Sequence, residues 1–277
     1  MGTDIDIAWA EATWDPLVGC TRKSAACKHC YAEALTAANA QPGGWGHGFG
    51  DGSGWSGKVD LREDRLALPL GWGTGRRIFV NSLSDLFHEL LDNAVIDRIF
   101  AVMALAPQHI YLVLTKRPKT VQPYIADPAT PGRIAKAMDA FAPGTAHEAP
   151  AWPLPNLWLG VTAENQKEAD RRIPLLLETP AALRFIAAEP LLEKLDLKFG
   201  TWLKPPGAGP RLDWVVAGGE IGAQASACHP DWARALRDQC AQAATPFFWN
   251  QWGQHIPEGG DAARRLLDGA QHEAYPA

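Results

Sequence analysis

Three of the chain's five cysteines, Cys20, Cys27 and Cys30, fall within eleven positions in the stretch "GCTRKSAACKHCYAEAL". An odd number of thiols does not close into disulfides, and a closed structural zinc site takes four donors. Three thiolates suit a [4Fe–4S] cubane, which has four irons to ligate and is left with one iron open to a small molecule. Gly19, Ser24, Ala25 and Ala26 keep the stretch small enough for the tight turns such a loop needs. Two other readings stand beside this one. His29 or His47 could complete a zinc site, or Cys20 could be an unrelated buried thiol. Cys240, on the apolar face of its helix, and Cys228, with no partner nearby in sequence, read as structural.

The remaining composition narrows the class. The chain has 277 residues, 47% of them hydrophobic, which is ample for a buried core. Its net charge of −5 argues against a protein that coats nucleic acid non-specifically, though a local basic pocket is compatible with it. No apolar run approaches a membrane span, and "MGTDIDIAWAEATW" has no basic-then-apolar leader pattern. A soluble cytoplasmic protein is expected, where thiols stay reduced and clustered cysteines bind metal or do chemistry. Twelve tryptophans are explained by core anchoring, with stacking of planar ligands as the sharper alternative.

The elements that must position the cysteines recur with one grammar. Short apolar runs at Ile78–Val80, Ile110–Leu114, Leu157–Val161, Leu183–Ala187, Trp214–Ala217 and Phe247–Trp249 lack alternation, as parallel strands do when both faces are covered. Ile5–Trp9 is a weaker first strand. Helical periodicity lies between them, in "DNAVIDRIFAVMALA", "RIAKAMDAFA", "NQKEADRRIPLLLE" and "DWARALRDQCAQAA", with Pro174 expected to break or kink the third. The alternation predicts an α/β fold with a mainly parallel sheet, either a partial or full (β/α) barrel or a doubly wound sheet. Each run is followed at once by polar residues: "NSLSD", "TKRPK", "TAEN", "AEPL", "GGE" and "NQWG". Six decorated strand ends favour the barrel, whose sites are built from several strands at their C-terminal ends. A single domain over 1–277 is expected, with a Gly-rich loop at 40–58, either a lid or a surface excursion, and a short C-terminal extension at 254–277.

The motifs "WDPLVGCTRKSAACKHCYAE", "FVNSLSDLFHE", "LVLTKRP", "WLGVTAEN", "RFIAAEPLL", "WVVAGGEIG", "HPDWARALRDQC" and "FFWNQWG" occur in that order. In this the sequence resembles the phage-associated three-cysteine family of radical-SAM-like proteins. The resemblance implies a radical S-adenosylmethionine (SAM) barrel. Cys20, Cys27 and Cys30 would hold a [4Fe–4S] cluster, with SAM on the open iron and a 5′-deoxyadenosyl radical formed to abstract hydrogen from a substrate. The C-x6-C-x2-C spacing departs from the C-x3-C-x2-C of the wider superfamily.

Ser82, Ser84 and Asp85 would then lie where the SAM amino group is held, with Asp85 accepting from the ammonium. Thr162, Glu164 and Asn165 would face the ribose or carboxylate, and Glu189 and Glu220 would add polar contacts. For each of these, loop capping or packing is the plain alternative. Lys116, Arg117 and Lys119, with Asn250 and Gln251, are candidate substrate contacts, the cations suited to a phosphate or carboxylate. Two family cations are missing: Ile221 and "SAC" (226–228) replace a Ser and an Arg-Pro-Met run, and Asn250 replaces a Lys, which suggests a different substrate from typical relatives.

The partners implied are an electron donor such as flavodoxin or ferredoxin and a nucleobase or hypermodified pyrimidine of phage DNA, with Trp45, Phe49 and Trp55 available to stack on it. An amino-acid-like or peptide substrate is the alternative. The competing class is a non-catalytic zinc- or iron–sulfur-binding interaction protein.

Overall fold

The computed structural model describes residues 7–51, 54–258 and 265–277. Seven strands form one sheet: β1 (Ala12–Trp14), β2 (Arg77–Val80), β3 (Ile110–Thr115), β4 (Leu157–Thr162), β5 (Leu183–Ala188), β6 (Trp214–Ala217) and β7 (Phe247–Trp249). Every neighbouring pair is parallel and the spatial order is the chain order, so the sheet curls into a half-barrel. That order has no reversal point, which excludes the doubly wound alternative. The apolar runs from Ile78 onward coincide with strands to within one residue.

The first strand does not. It is Ala12–Trp14; Trp9 lies in a turn, and Ile5 and Asp6 fall outside the described residues. The hydrophobicity of the earlier segment has another cause. The Trp9 ring is inserted into the barrel, 4.7 Å from Phe79 and 6.2 Å from Trp214.

The helices are α1 (Tyr31–Ala38), α2 (Asn93–Leu105), α3 (Pro118–Ala126), α4 (Thr130–Met138), α5 (Gln166–Glu178) and α6 (Pro230–Gln242). Connections between adjacent parallel strands share one hand, so successive helices cover one face. The core reflects this. Ile78, Val80, Val113, Val161 and Val215 pack with Ile96, Phe100, Ile173 and Leu236 from the helices. The alternate residues Phe79, Leu112, Trp158, Phe185, Trp214 and Phe248 face inward and form a second cluster with Trp9. Helix α5 continues through Pro174, where a break or kink was expected, with Ile173 and Leu176 both buried in the core. Packing on both sides of the proline outweighs one lost backbone bond.

The inward cluster closes the bottom of the half-barrel. Gly160 on β4 has no side chain because Phe185 needs the space: a Cβ there would sit 2.5 Å from the Phe185 ring. Phe185 is fully buried and held by Trp9 and Trp214, so it has nowhere to move. We expect Gly160→Ala to destabilise the protein by about 1–3 kcal/mol through overpacking. Chemical denaturation with an unchanged m-value checks this, and a loss under about 0.5 kcal/mol would show that the ring yields.

The C-terminal segment is part of the barrel wall. Trp249 N donates to His272 O (2.8 Å), Ala274 N to Phe247 O (3.2 Å) and Trp214 Nε1 to Ala274 O (2.9 Å). It thereby covers the free edge of β7, which would otherwise present unpaired backbone groups. Among the described residues no helix is long and apolar enough to cross a membrane.

Candidate functional site

The C-terminal ends of the strands surround a cavity of about 1180 Å³, counting its solvent-open mouth. Its wall contains all three clustered cysteines together with residues that follow β2 to β7. Cys228 and Cys240 are instead buried in the helix-side core, and all five cysteines are free thiols.

The cysteine loop starts where β1 ends. Asp15 accepts from Ser82 Oγ (2.9 Å) and Leu83 N (3.0 Å), fastening β1 to the segment after β2. Gly19 has φ +88°, and any Cβ there would collide with Lys58 O, so glycine is required for the chain to turn into the loop under the 40–58 segment. Ser84 Oγ donates to Gly19 O (2.5 Å). Cys27 Sγ accepts from Lys23 N (3.4 Å), and Cys30 is the N-cap of α1.

Burial pushes the Cys20 thiol up to about 11, with Asp85 adding to the rise and Arg117 opposing it. Burial also raises Cys30, against the offsetting Lys116 charge and the amides of Ala32 and Glu33. Both thiols are therefore protonated at neutral pH unless a cation binds and displaces the protons.

The donor set fits an iron–sulfur cluster: three soft thiols, one cavity, and room beside them. Among the described residues no three His, Cys, Asp or Glu side chains converge on one point as a single metal ion requires. A cubane presents its irons at separate corners, so its three thiolates surround one cluster at wider separations than donors on a single ion. Of the two histidines considered for zinc, His47 is exposed and outside the cavity wall, while His29 lines it with Nδ1 3.4 Å from Glu220 Oε2.

Asp85 and Arg117 turn out to be each other's partners. Asp85 accepts from Thr115 Oγ1 (2.6 Å), Lys116 N (3.1 Å) and Arg117 Nη1 (2.8 Å). Arg117 also donates to Glu89 (2.8 Å), to Thr21 O (3.0 Å) and Thr21 Oγ1 (2.9 Å), and approaches Cys20 Sγ (3.8 Å). Asp85 and Arg117 both line the cavity, and together they form a buried clamp that holds the cysteine loop onto β2 and β3. The donors reaching Glu89 hold its carboxyl near 2, against the upward push of burial.

The other expected residues divide. Thr162, Glu189, Glu220, Lys116, Asn250 and Gln251 line the cavity. Glu189 accepts from Asn250 Nδ2 (2.6 Å) and Trp9 Nε1 (3.3 Å), and Glu220 from Ser226 N (2.7 Å). Asn165 caps α5, accepting from Glu168 N (2.9 Å), and Glu164 is fully buried against Arg172 (2.8 Å). Neither is part of the wall, and Lys119 is exposed outside it. These three are positioned by helix capping, charge burial and solvation.

The 40–58 segment is fastened as well. It contains a short hairpin, Gly50–Asp51 with Gly54–Trp55, and Trp55 N donates to Glu33 Oε1 (2.7 Å) on α1. Of Trp45, Phe49 and Trp55, only Trp55 reaches the cavity wall.

Asn81 and Asp15 were not foreseen. Each is the first polar residue past a strand, and that is the signal that could have found them. Asn81 has φ +58° and lines the cavity, with Oδ1 accepting from Leu17 N (3.2 Å). No curated protein and no solved structure matches the chain. Residues 4–276, nearly the whole length, match the family described as "Protein of unknown function (DUF5131)", and the chain belongs to that family.

Proposed function

We propose that this protein is a radical SAM enzyme, with Cys20, Cys27 and Cys30 holding a [4Fe–4S] cluster. The observation that carries the reading is the meeting of three free thiols from one loop with the polar ends of six strands around a single cavity. That is where a (β/α) barrel carries out its chemistry. When bound, the cluster and SAM supply one-electron cleavage of the sulfonium, giving methionine and a radical that takes a hydrogen atom from the substrate.

This chain's residues hold and shield that chemistry. The Arg117 clamp fixes the cysteine loop, Asp15 fastens the loop's entry, and the inward aromatic cluster seals the floor against water. The electron comes from a reduced flavodoxin or ferredoxin. We place a nucleobase, extruded from phage DNA, as the substrate. Its support is Trp55 at the cavity wall, since stacking on an aromatic ring is worth about 1–3 kcal/mol per base.

The test is anaerobic reconstitution and reduction. About four irons per chain and formation of 5′-deoxyadenosine from SAM are expected. Colourless protein with zinc in place of iron would support the non-catalytic alternative and end this reading.

A further inference from the structure

The carboxylates of the cavity wall are already occupied. Asp85 serves Thr115, Lys116 N and Arg117; Glu189 serves Asn250 and Trp9; Glu220 serves Ser226 N and His29. Two donors are not. The Asn81 side chain is 3% exposed, yet its Nδ2 has no hydrogen-bond partner among the described residues. The Lys116 ammonium makes no hydrogen bond or ion pair among the described residues, although it lines the same wall. A buried donor without a partner calls for an explanation, and of the four non-glycine residues at positive φ, Asn81 is the one in the cavity wall.

The two groups are neighbours. Val80 pairs with Val113 on adjacent strands; Asn81 is the first residue past β2 and Lys116 the first past β3, and both line the same wall. Asn81 is fixed at both ends: its N donates to Trp14 O (2.8 Å) and its Oδ1 accepts from Leu17 N (3.2 Å). Nδ2 is the one polar group of its side chain left over. Arg117 is spent on its own partners, and Lys119 is outside the wall.

We propose that Asn81 and Lys116 form an oxyanion-binding subsite on the β2–β3 side of the cavity, receiving a carboxylate or phosphate oxygen of the occupant. An amide N–H and an ammonium converging on one oxyanion would satisfy both groups, and a charge-assisted bond is the stronger kind. The inference rests on the cavity being the ligand site proposed above. Two sources carry the required group: the methionyl carboxylate of SAM, and the phosphate of a nucleotide substrate.

The test is calorimetric titration of the full chain with two pairs of probes, SAM against decarboxylated SAM and thymidine monophosphate against thymidine. Each pair differs by the anionic portion. The variants are Lys116→Gln, Lys116→Arg and Asn81→Asp; the last keeps the acceptor for Leu17 N and replaces the unpaired donor with a negative oxygen. The affinity of one probe carrying the anionic group is expected to fall about 10- to 100-fold in Lys116→Gln and Asn81→Asp, with Lys116→Arg recovering most of it and the counterpart lacking that group unchanged. Loss confined to SAM assigns the methionyl carboxylate, and loss confined to the monophosphate assigns the substrate. The proposal is overturned if SAM and the monophosphate both stay within about twofold of wild type. Equal losses for the counterparts lacking the anionic group, or no binding of either SAM or the monophosphate to wild type, overturn it as well. Iron content is read separately. A protein without iron that still shows the expected losses keeps the subsite and loses the radical reading.

Discussion

Replacing Cys20, Cys27 or Cys30 with alanine is expected to abolish iron binding in each case, from about four irons per reconstituted chain to a small residue, because two thiolates hold a cubane poorly. Cys228→Ala and Cys240→Ala should keep their iron, although both are fully buried and cost stability. Burial in the helix-side core pushes Cys228 up to about 12 and raises Cys240 further, so neither is suited to act as a thiolate. Iron and sulfide analysis with electron paramagnetic resonance of the reduced proteins separates the two groups. If Cys228→Ala lost as much iron as Cys20→Ala while remaining folded, the ligand assignment would be wrong. Retention of full iron by Cys20→Ala would point to the close pair Cys27/Cys30 and leave Cys20 as an ordinary buried thiol.

Arg117→Met should be the most destabilising single change at the rim. The side chains of Arg117 and Asp85 are only 2% and 6% exposed, so removing the guanidinium leaves a carboxylate buried without its counter-charge. Breaking such a pair from one side costs about 3–5 kcal/mol. The Glu89 contact adds little, since that carboxylate is 45% exposed and surface pairs are worth about 0–1 kcal/mol. Arg117→Lys should recover only part of the loss, because an ammonium cannot reach Asp85, Glu89 and Thr21 at once as a planar fork does. The double variant Asp85→Asn/Arg117→Met should be more stable than Arg117→Met alone, which a double-mutant cycle in urea measures. Iron loading should fall with Arg117→Met as Thr21 and Cys20 lose their anchor. A stability loss under about 1 kcal/mol with iron unchanged would reduce Arg117 to a surface-type contact.

Much of the frame can be read from residue order alone. Runs such as Leu157–Val161 declare themselves because a strand covered on both faces is apolar throughout, a property local to a few residues. The place of the cysteine loop follows from the same logic, since a loop leaving the end of a parallel strand opens at the rim. Local pattern misled at Ile5–Trp9, where Trp9 is apolar because it fills the barrel and not because it lies in a strand.

What only the tertiary structure decided is which rim residues are spent on one another. Asp85 and Arg117 are 32 positions apart, Arg117 and Thr21 are 96, and Glu189 and Asn250 are 61. Asp85, Arg117, Glu189 and Asn250 looked free to meet a ligand, yet Coulomb attraction and the cost of burying an unpaired charge join them to these partners once the strand ends converge. The same convergence leaves Asn81 Nδ2 and the Lys116 ammonium without a partner among the described residues. The pairing of β2 with β3 brings the two residues to one wall. Periodicity within either strand carries no information about it, because the pairing energy lies between segments and not along them.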